Sequence, residues 1–580
     1  MKKIFLVLGL ISGLTLSALA QDPSVQSNDP TDFKADRYSF KTIDSANQLQ
    51  IMAGNVVMKQ GTTTFYADSA IFNRFTRIVE AFGNVHINDN DSIDTYSQYL
   101  HYHVDTKIAL LKRKVRLTDG LSNLYTEELE YDVNQKIGIY RNGGRVVNKS
   151  SVLTSTQATY YADVKDVYFK QNVLLKDPQY TLRSDSLLYN TESEIATFIA
   201  QTVIEDSIRR IRTSDGFYDM KNRNAFFGRR PIINDGPVTI IANEIETDDL
   251  TGINKLHGNA IYKDTAQGIS ILANYIESDK NSGSFFATRD PLMILKQEND
   301  SIFISADTLA SGRLSLRFPE VADTVLTEPG DTISLADSSL QDSAVNVIAT
   351  PAQIDTAATN DSTDRYFMAW HNVRVFSDSL QAVSDSLFYS GKDSIFRLFT
   401  DPVVWASGSQ VTGDTIYLYT KNKKAERLYV FENGLVINKS GENMFNQVRG
   451  NRLNGYFTDG AIDRMRAQGN AESVYYVRDD QDLLVGINKA SSDIIEMRFR
   501  NKEMHEVIFI SEVAGTMYPV HQISEEDKKL RNFDWRESLR PKSRFELFEK
   551  PESRVKQEED NNDEEEVPEQ EDQPEAEDKT

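Results

Sequence analysis

Apolar residues fall at every second position through most of the chain, the spacing of a strand whose successive side chains face opposite ways. The stretch from Asn172 to Ala200 shows the unit. Asn172-Val173-Leu174-Leu175 leads through Asp177-Pro178 into Ser184-Asp185-Ser186-Leu187-Leu188-Tyr189, and Asn190-Thr191-Glu192 then leads into Ile195-Ala196-Thr197-Phe198-Ile199-Ala200. Asp-Pro and Asn-Thr-Glu are turn-forming, so the unit reads strand, turn, strand, turn, strand. Unbroken alternation puts Leu187 and Tyr189 on one face with Asp185, and Ser186 and Leu188 on the other.

The unit recurs. Its opening phrase returns as Gly54-Asn55-Val56-Val57-Met58, Gly83-Asn84-Val85-His86-Ile87, Gly258-Asn259-Ala260-Ile261-Tyr262 and His371-Asn372-Val373-Arg374-Val375. Its middle phrase returns as Ala67-Asp68-Ser69-Ala70-Ile71-Phe72, Ser97-Gln98-Tyr99-Leu100-His101-Tyr102, Thr126-Glu127-Glu128-Leu129-Glu130-Tyr131 and Ser384-Asp385-Ser386-Leu387-Phe388-Tyr389. Gly54 to Gly83 is a step of 29 residues and Asn372 to Pro402 a step of 30. A fixed period in this range marks a stacked-repeat architecture. The pattern predicts antiparallel strands from Ile51 to Ile510, with helix confined to the chain start and the region after Val520.

The ends and the middle break the rhythm. Met1-Lys2-Lys3, the apolar run Ile4–Leu16 and Ala18-Leu19-Ala20 form a secretory signal peptide over 1–20. The sequence holds no cysteine, which excludes disulfides, thiolate metal sites and a lipidated cysteine. The expected layout is a flexible segment over 21–50, repeats over 51–317, a disordered insertion over 318–364, further repeats over 365–517 and a mixed or helical cap over 518–550. In that cap Ser524-Glu525-Glu526-Asp527 resembles a capping box, with Trp535 and Phe545 available to pack it on the last repeat. An acidic disordered tail over 551–580 follows, with fourteen acidic against three basic residues from Glu552 onward.

Net charge is −23 with pI near 4.9, and no basic stripe is present, which argues against nucleic acid as a partner. His101-x-His103 puts two imidazoles on one strand face, but no third ligand stands at a persuasive spacing, so surface histidines are the better reading. The recurrent Asp of Ser-Asp-Ser suits a turn or a stacked ladder better than calcium, because the Gly-Gly-x-Gly-x-Asp pattern of calcium-binding rolls is missing. No nucleophile elbow, phosphate loop or carboxylate pair stands out. No catalytic residue, metal or cofactor is therefore assigned.

At Ile78-Val79-Glu80-Ala81-Phe82-Gly83-Asn84-Val85-His86-Ile87 and Ile253-Asn254-Lys255-Leu256-His257-Gly258-Asn259-Ala260-Ile261-Tyr262 the chain resembles the OstA/LptA-like proteins of lipopolysaccharide transport. The resemblance runs clearly from Ile51 to Leu316 and more loosely from Tyr366 to Ile510. It implies an all-β fold, a repetitive antiparallel β-jellyroll shaped like a clamp (a β-taco) in one or two modules, with a short C-terminal helical segment and the disordered tail. It also implies a non-enzymatic scaffold, in the periplasm with or without outer-membrane association, that binds lipopolysaccharide acyl chains between two sheets. Its partners would be other modules of that kind, the outer-membrane translocon included, joined by edge-strand pairing. Small residues such as Gly83 and Gly258 would let strands bend between sheets. Val85, Ile87, Leu100, Leu187, Phe198 and Leu387 would line the lipid path. The alternative from another class is a secreted β-solenoid adhesin or polysaccharide-binding surface protein.

Overall fold

The computed structural model describes residues 32–44, 48–89, 93–296, 301–318, 362–421, 424–458, 461–479, 481, 483–500 and 503–549. The expected signal peptide, nearly all of the insertion and the acidic tail lie outside them. Strands begin at Asp32, inside the stretch expected to be flexible, where Asp32–Lys34 and Arg37–Thr42 both pair with the long strand Gln48–Gln60. The chain divides into two compact units, Met1–Pro178 with Arg183–Ser193 and Gln179–Leu182 with Glu194–Thr580. The interruption of the repeats after Phe318 does not separate units. Phe303–Ser305 pairs with Arg374–Phe376 and Thr308–Arg313 pairs with Arg365–Trp370, so one ladder spans both sides of it.

Each unit is an antiparallel stack in which long strands pass from one sheet to another. The corner is a pair of consecutive residues in the left-handed region: Gly54-Asn55, Gly83-Asn84, Gly258-Asn259, His371-Asn372, Glu432-Asn433 and Gly469-Asn470. At each the ladder skips, as between Ala53 and Val56 or between Phe82 and Val85. Residues before the Gly54 corner pair within one sheet (sheet I), and Val56–Gln60 pairs within the other (sheet II). At Gly83, φ is +70° and an added Cβ would lie 2.3 Å from an Asp68 carboxylate oxygen, so glycine is required for both reasons. Glycine is not general, however. Arg113-Lys114, Gln171-Asn172, Arg229-Arg230 and Thr400-Asp401 adopt the same paired conformation at about 1 kcal/mol or more per residue.

Where the second corner residue is Asn, a clasp can hold the turn. The Asn of the corner donates through Nδ2 to the Asp of the middle phrase on the neighbouring strand: Asn55 to Asp36 at 2.9 Å, Asn84 to Asp68 at 3.0 Å, Asn372 to Asp307 at 3.0 Å and Asn433 to Asp414 at 3.1 Å. The clasp recurs in the backbone, where Asp36, Asp307 and Asp414 donate their N–H to Gly54, His371 and Glu432. The Asp ladder is therefore a corner device. It also moves the faces. In Thr181–Asn190 the buried positions are Leu182, Ser184, Leu187 and Tyr189, so the alternation slips by one residue at the corner and Asp185 is exposed rather than sharing the Leu187 face.

Beyond the last repeat, the Ser524 hydroxyl accepts from the Asp527 N–H at 3.1 Å, yet no α-helix follows. The segment runs as turns with two short 3-10 stretches, Glu537–Leu539 and Arg544–Phe548. The one α-helix among the described residues is Leu314–Arg317, outside both regions where helix was expected. Trp535 packs against the second unit as anticipated, but Phe545 is 73% exposed and Leu547 is the residue that buries.

Candidate functional site

The residues facing inward between the two sheets form apolar rows. In the first unit Val85, Ile87, Leu100 and Leu187 are at most 1% exposed, and in the second Phe198 and Leu387 are at most 3% exposed. Val85 and Ile87 follow the Gly83-Asn84 corner on sheet II. Leu100 sits on sheet I between Ala81 and Leu111. Leu387 lies between Ala369 and Leu398, and the Phe198 and Phe227 rings lie parallel with centroids 6.0 Å apart. All six point inward. Each is also covered by protein atoms so closely that water does not reach it, and a hydrocarbon chain is wider than water. Occupancy by lipid therefore requires the sheets to part.

What closes the first unit is a column of side chains opposite the corners, where both sheets end in hairpins. Tyr102, Tyr131, Tyr160 and Tyr189 recur every 29 residues on sheet I. The Tyr102 hydroxyl donates to the Gln60 amide oxygen at 2.8 Å, Tyr131 to Asp89 at 3.5 Å and Tyr160 to Asp119 at 2.8 Å, while Asn148 Nδ2 donates to the Tyr189 hydroxyl at 3.2 Å. Gln60, Asp89 and Asn148 end strands of sheet II, Asp119 directly follows one, and the four are themselves spaced by one repeat. Burial, then the carboxylates of Asp89 and Asp132, push the Tyr102 hydroxyl far above its ordinary range, and burial with Asp119 does the same to Tyr160. Burial works to raise the Asp119 carboxyl, but the Ser122 N–H, the Tyr160 hydroxyl, the Leu121 N–H and Lys165 hold it below the usual value. Beside this pair lies a cavity of about 20 Å³, room for about one water, lined in part by Asp119, Tyr140, Tyr160 and Thr191.

The outward face of sheet II in the first unit is different again. Tyr66, His86, Tyr96, Arg116, Tyr125 and Arg145 oppose one another in succession across adjacent strands. His86 stacks on Tyr96 at 4.4 Å, and Arg116 and Arg145 lie over Tyr96 and Tyr125 at 4.2 and 4.9 Å. His101 and His103 share the sheet I face opposite buried Tyr102, and among the described residues no group of three His, Asp or Glu could hold a metal.

Tyr102, Tyr131 and Tyr189 close the repeated middle phrase, whose strand period alone assigns them no task. The signal was there. A tyrosine column and an amide-or-carboxylate column keep the same period, and polar residues in line with buried apolar ones need partners.

A model of the OstA-like protein family matches residues 33–185. That region is similar to the OstA-like family. The OstA-like match covers nearly all of the described first unit. The chain is similar to a solved structure titled LptH, the LptA-homologous periplasmic component of the lipopolysaccharide transport device from Pseudomonas aeruginosa, at 17% identity over 20% of this chain and 82% of that one, with a TM-score of 0.18. A search of curated proteins gave no match. The strand pairing and corners described above carry the fold assignment: an all-β, repetitive antiparallel jellyroll.

Proposed function

We propose that this chain is a non-enzymatic periplasmic scaffold that takes the acyl chains of lipopolysaccharide between its sheets and helps move the lipid to the outer membrane. The observation that carries the reading is the buried, mainly apolar inward face, repeated along the region that matches the OstA-like family. Such a path needs no nucleophile and no cofactor. It needs only apolar surface whose affinity is similar from layer to layer, so that chains bind without being trapped. The LptH title names a periplasmic lipopolysaccharide-transport component, which fits export through the expected signal peptide. Partners of the same fold would join by strand addition. Arg37–Thr42, which pairs only with Gln48–Gln60 among the described strands and exposes half of Tyr38 and Phe40, suits that role.

The test is a photoreactive residue at Leu187, and separately at Leu387, in living cells, with lipopolysaccharide adducts as the readout and bound lipopolysaccharide per purified molecule as a second measure. Adducts at both sites are expected. A folded, exported chain that yields no adduct and no bound lipid overturns the reading. The half-exposed tyrosine–arginine row on sheet II favours the second reading, a polysaccharide-binding surface protein, since aromatic faces and guanidinium groups suit sugar rings. Labelling of the protein on intact cells would move that reading ahead.

A further inference from the structure

The two long sides of the first unit are closed in different ways. On the corner side the strands themselves cross from sheet to sheet, so that side is shut by backbone, and the Asn84–Asp68 clasp reinforces it. On the opposite side no strand crosses among the described residues. There the cross-sheet bridges are side-chain contacts: the pairs Tyr102–Gln60, Tyr131–Asp89, Tyr160–Asp119 and Tyr189–Asn148, joined by Thr191 to Asp119, Asn148 to the Thr191 carbonyl and the Lys165–Asp119 ion pair. Parting the sheets at the corner means breaking covalent chain or main-chain ladders, whereas parting them at the tyrosines means exchanging a few hydrogen bonds for bonds to water or to a lipid's polar groups. The column is not packed shut along its length: a water-sized cavity lined in part by Ser122, Asp119 and Tyr160 lies beside the Tyr160–Asp119 pair.

We propose that the tyrosine column is a lateral gate: acyl chains enter the first unit sideways, between the sheets, when the four hydrogen-bonded pairs part, rather than by threading along the interior from an end. This rests on the lipid-binding reading above and adds the route of entry and the residues that control it. The hydroxyls hold the mouth shut over Leu100, Leu187 and their neighbours when no lipid is present. A tyrosine at a boundary between apolar interior and polar surroundings keeps its ring against the apolar side in either state, with its hydroxyl free to change partner.

The absence of cysteine allows a clean test on the full mature chain. Gln60→Cys with Tyr102→Cys, and Asn148→Cys with Tyr189→Cys, bridge the mouth once treated with a short bifunctional thiol reagent carrying a cleavable spacer. The bridge is placed on folded protein, so misfolding does not enter. Uptake of a fluorescent fatty acid reads the gate, and binding of lipopolysaccharide separately reads the proposed function. Bridged protein is expected to take up the fatty acid at least tenfold more slowly, with cleavage of the spacer restoring the rate. Uptake by bridged protein at the unbridged rate overturns the gate while leaving lipopolysaccharide binding to stand or fall on its own measurement. In a second arm, Tyr131→Phe with Tyr160→Phe removes two hydroxyls and keeps the rings. Severalfold faster uptake supports the gate, and an unchanged rate shows that the hydroxyls do not hold it.

Discussion

Sheet II turns through the same kind of corner in both units, yet its outward face in the last repeats of the second unit does the opposite of that in the first. In the first unit it is a wet ladder of Tyr66, His86, Tyr96, Arg116, Tyr125 and Arg145. In the second the outward positions include Trp405, Gln410, Leu435, Ile437, Gln447, Val474, Tyr476 and Ile487, all at most 5% exposed. What covers them is the segment after the last repeat, which lies across sheet II as a strap. Ile523 and Leu530 pack on Leu435, Ile437, Val474 and Ile487, joined by Phe533 and Trp535. Three buried glutamines meet the strap in turn. Gln447 donates to the Lys528 carbonyl and accepts from the Leu530 N–H, both at 2.7 Å. Gln410 donates to the Asp534 carbonyl at 2.7 Å and accepts from the Arg536 N–H at 2.8 Å, and Gln381 accepts from Arg540. Lys489–Asp527 and Arg536–Asp401 pin the edges. A glutamine side chain presents the same donor and acceptor as a peptide group, so it satisfies an irregular strand that cannot join the ladder.

The comparison teaches why the alternation fades in the later repeats. A strand with one wet face alternates, whereas a strand covered on both reads as a continuous apolar run. Val403-Val404-Trp405-Ala406 is buried at every position, which is the looser resemblance seen after Tyr366.

The sharpest way to break this contrast is to end the chain after Tyr518. The second unit then exposes its outward apolar face, and its calorimetric transition should fall by more than ten degrees or vanish into aggregation while that of the first unit stays. A single transition lost as a whole would show that the strap does not act on one unit alone. Next in size is Leu530→Ala, a fully packed strap residue, with an expected loss of about 2–5 kcal/mol in denaturant unfolding of the second unit. Gln447→Ala should cost about 1–3 kcal/mol, because it leaves a buried N–H and a buried carbonyl of the strap unpaired. Tyr125→Ala, on the corresponding face of the first unit, should cost no more than about 1 kcal/mol, since it removes a cross-strand pair and one cation–ring contact at a wet surface. A larger loss there than at Gln447 would invert the comparison.

Buried tyrosines also make the first unit sensitive to alkali. Burial raises the Tyr140 hydroxyl to about 12, and Tyr102, Tyr131 and Tyr160 are raised further. A group whose pKa is higher folded than unfolded stabilises fully below its unfolded value of about 10 and loses that contribution as pH rises through the folded value. First-unit stability should therefore decline from about pH 10 toward 12, and Tyr160→Phe should blunt the decline. An unchanged slope in that variant would count against burial of an ionisable hydroxyl at Tyr160.

Local pattern determined much of this protein. The strand period, the 29-residue repeat, the turns and the recurrent Asn and Asp that became the corner clasp were legible because each depends on neighbours within one repeat. The six inward residues could be placed for the same reason. Phase was not legible through the corner, because two left-handed residues shift the alternation without altering composition, and Asp185 landed on the wrong face. Tertiary structure alone decided the rest. Tyr131 meets Asp89 across 42 residues and Gln447 meets Leu530 across 83, and no periodicity in the sequence says which of two equally spaced columns, or which face of a sheet, a distant segment will choose. That choice depends on which apolar face is left uncovered once the repeats have stacked, a quantity that exists only in the folded chain.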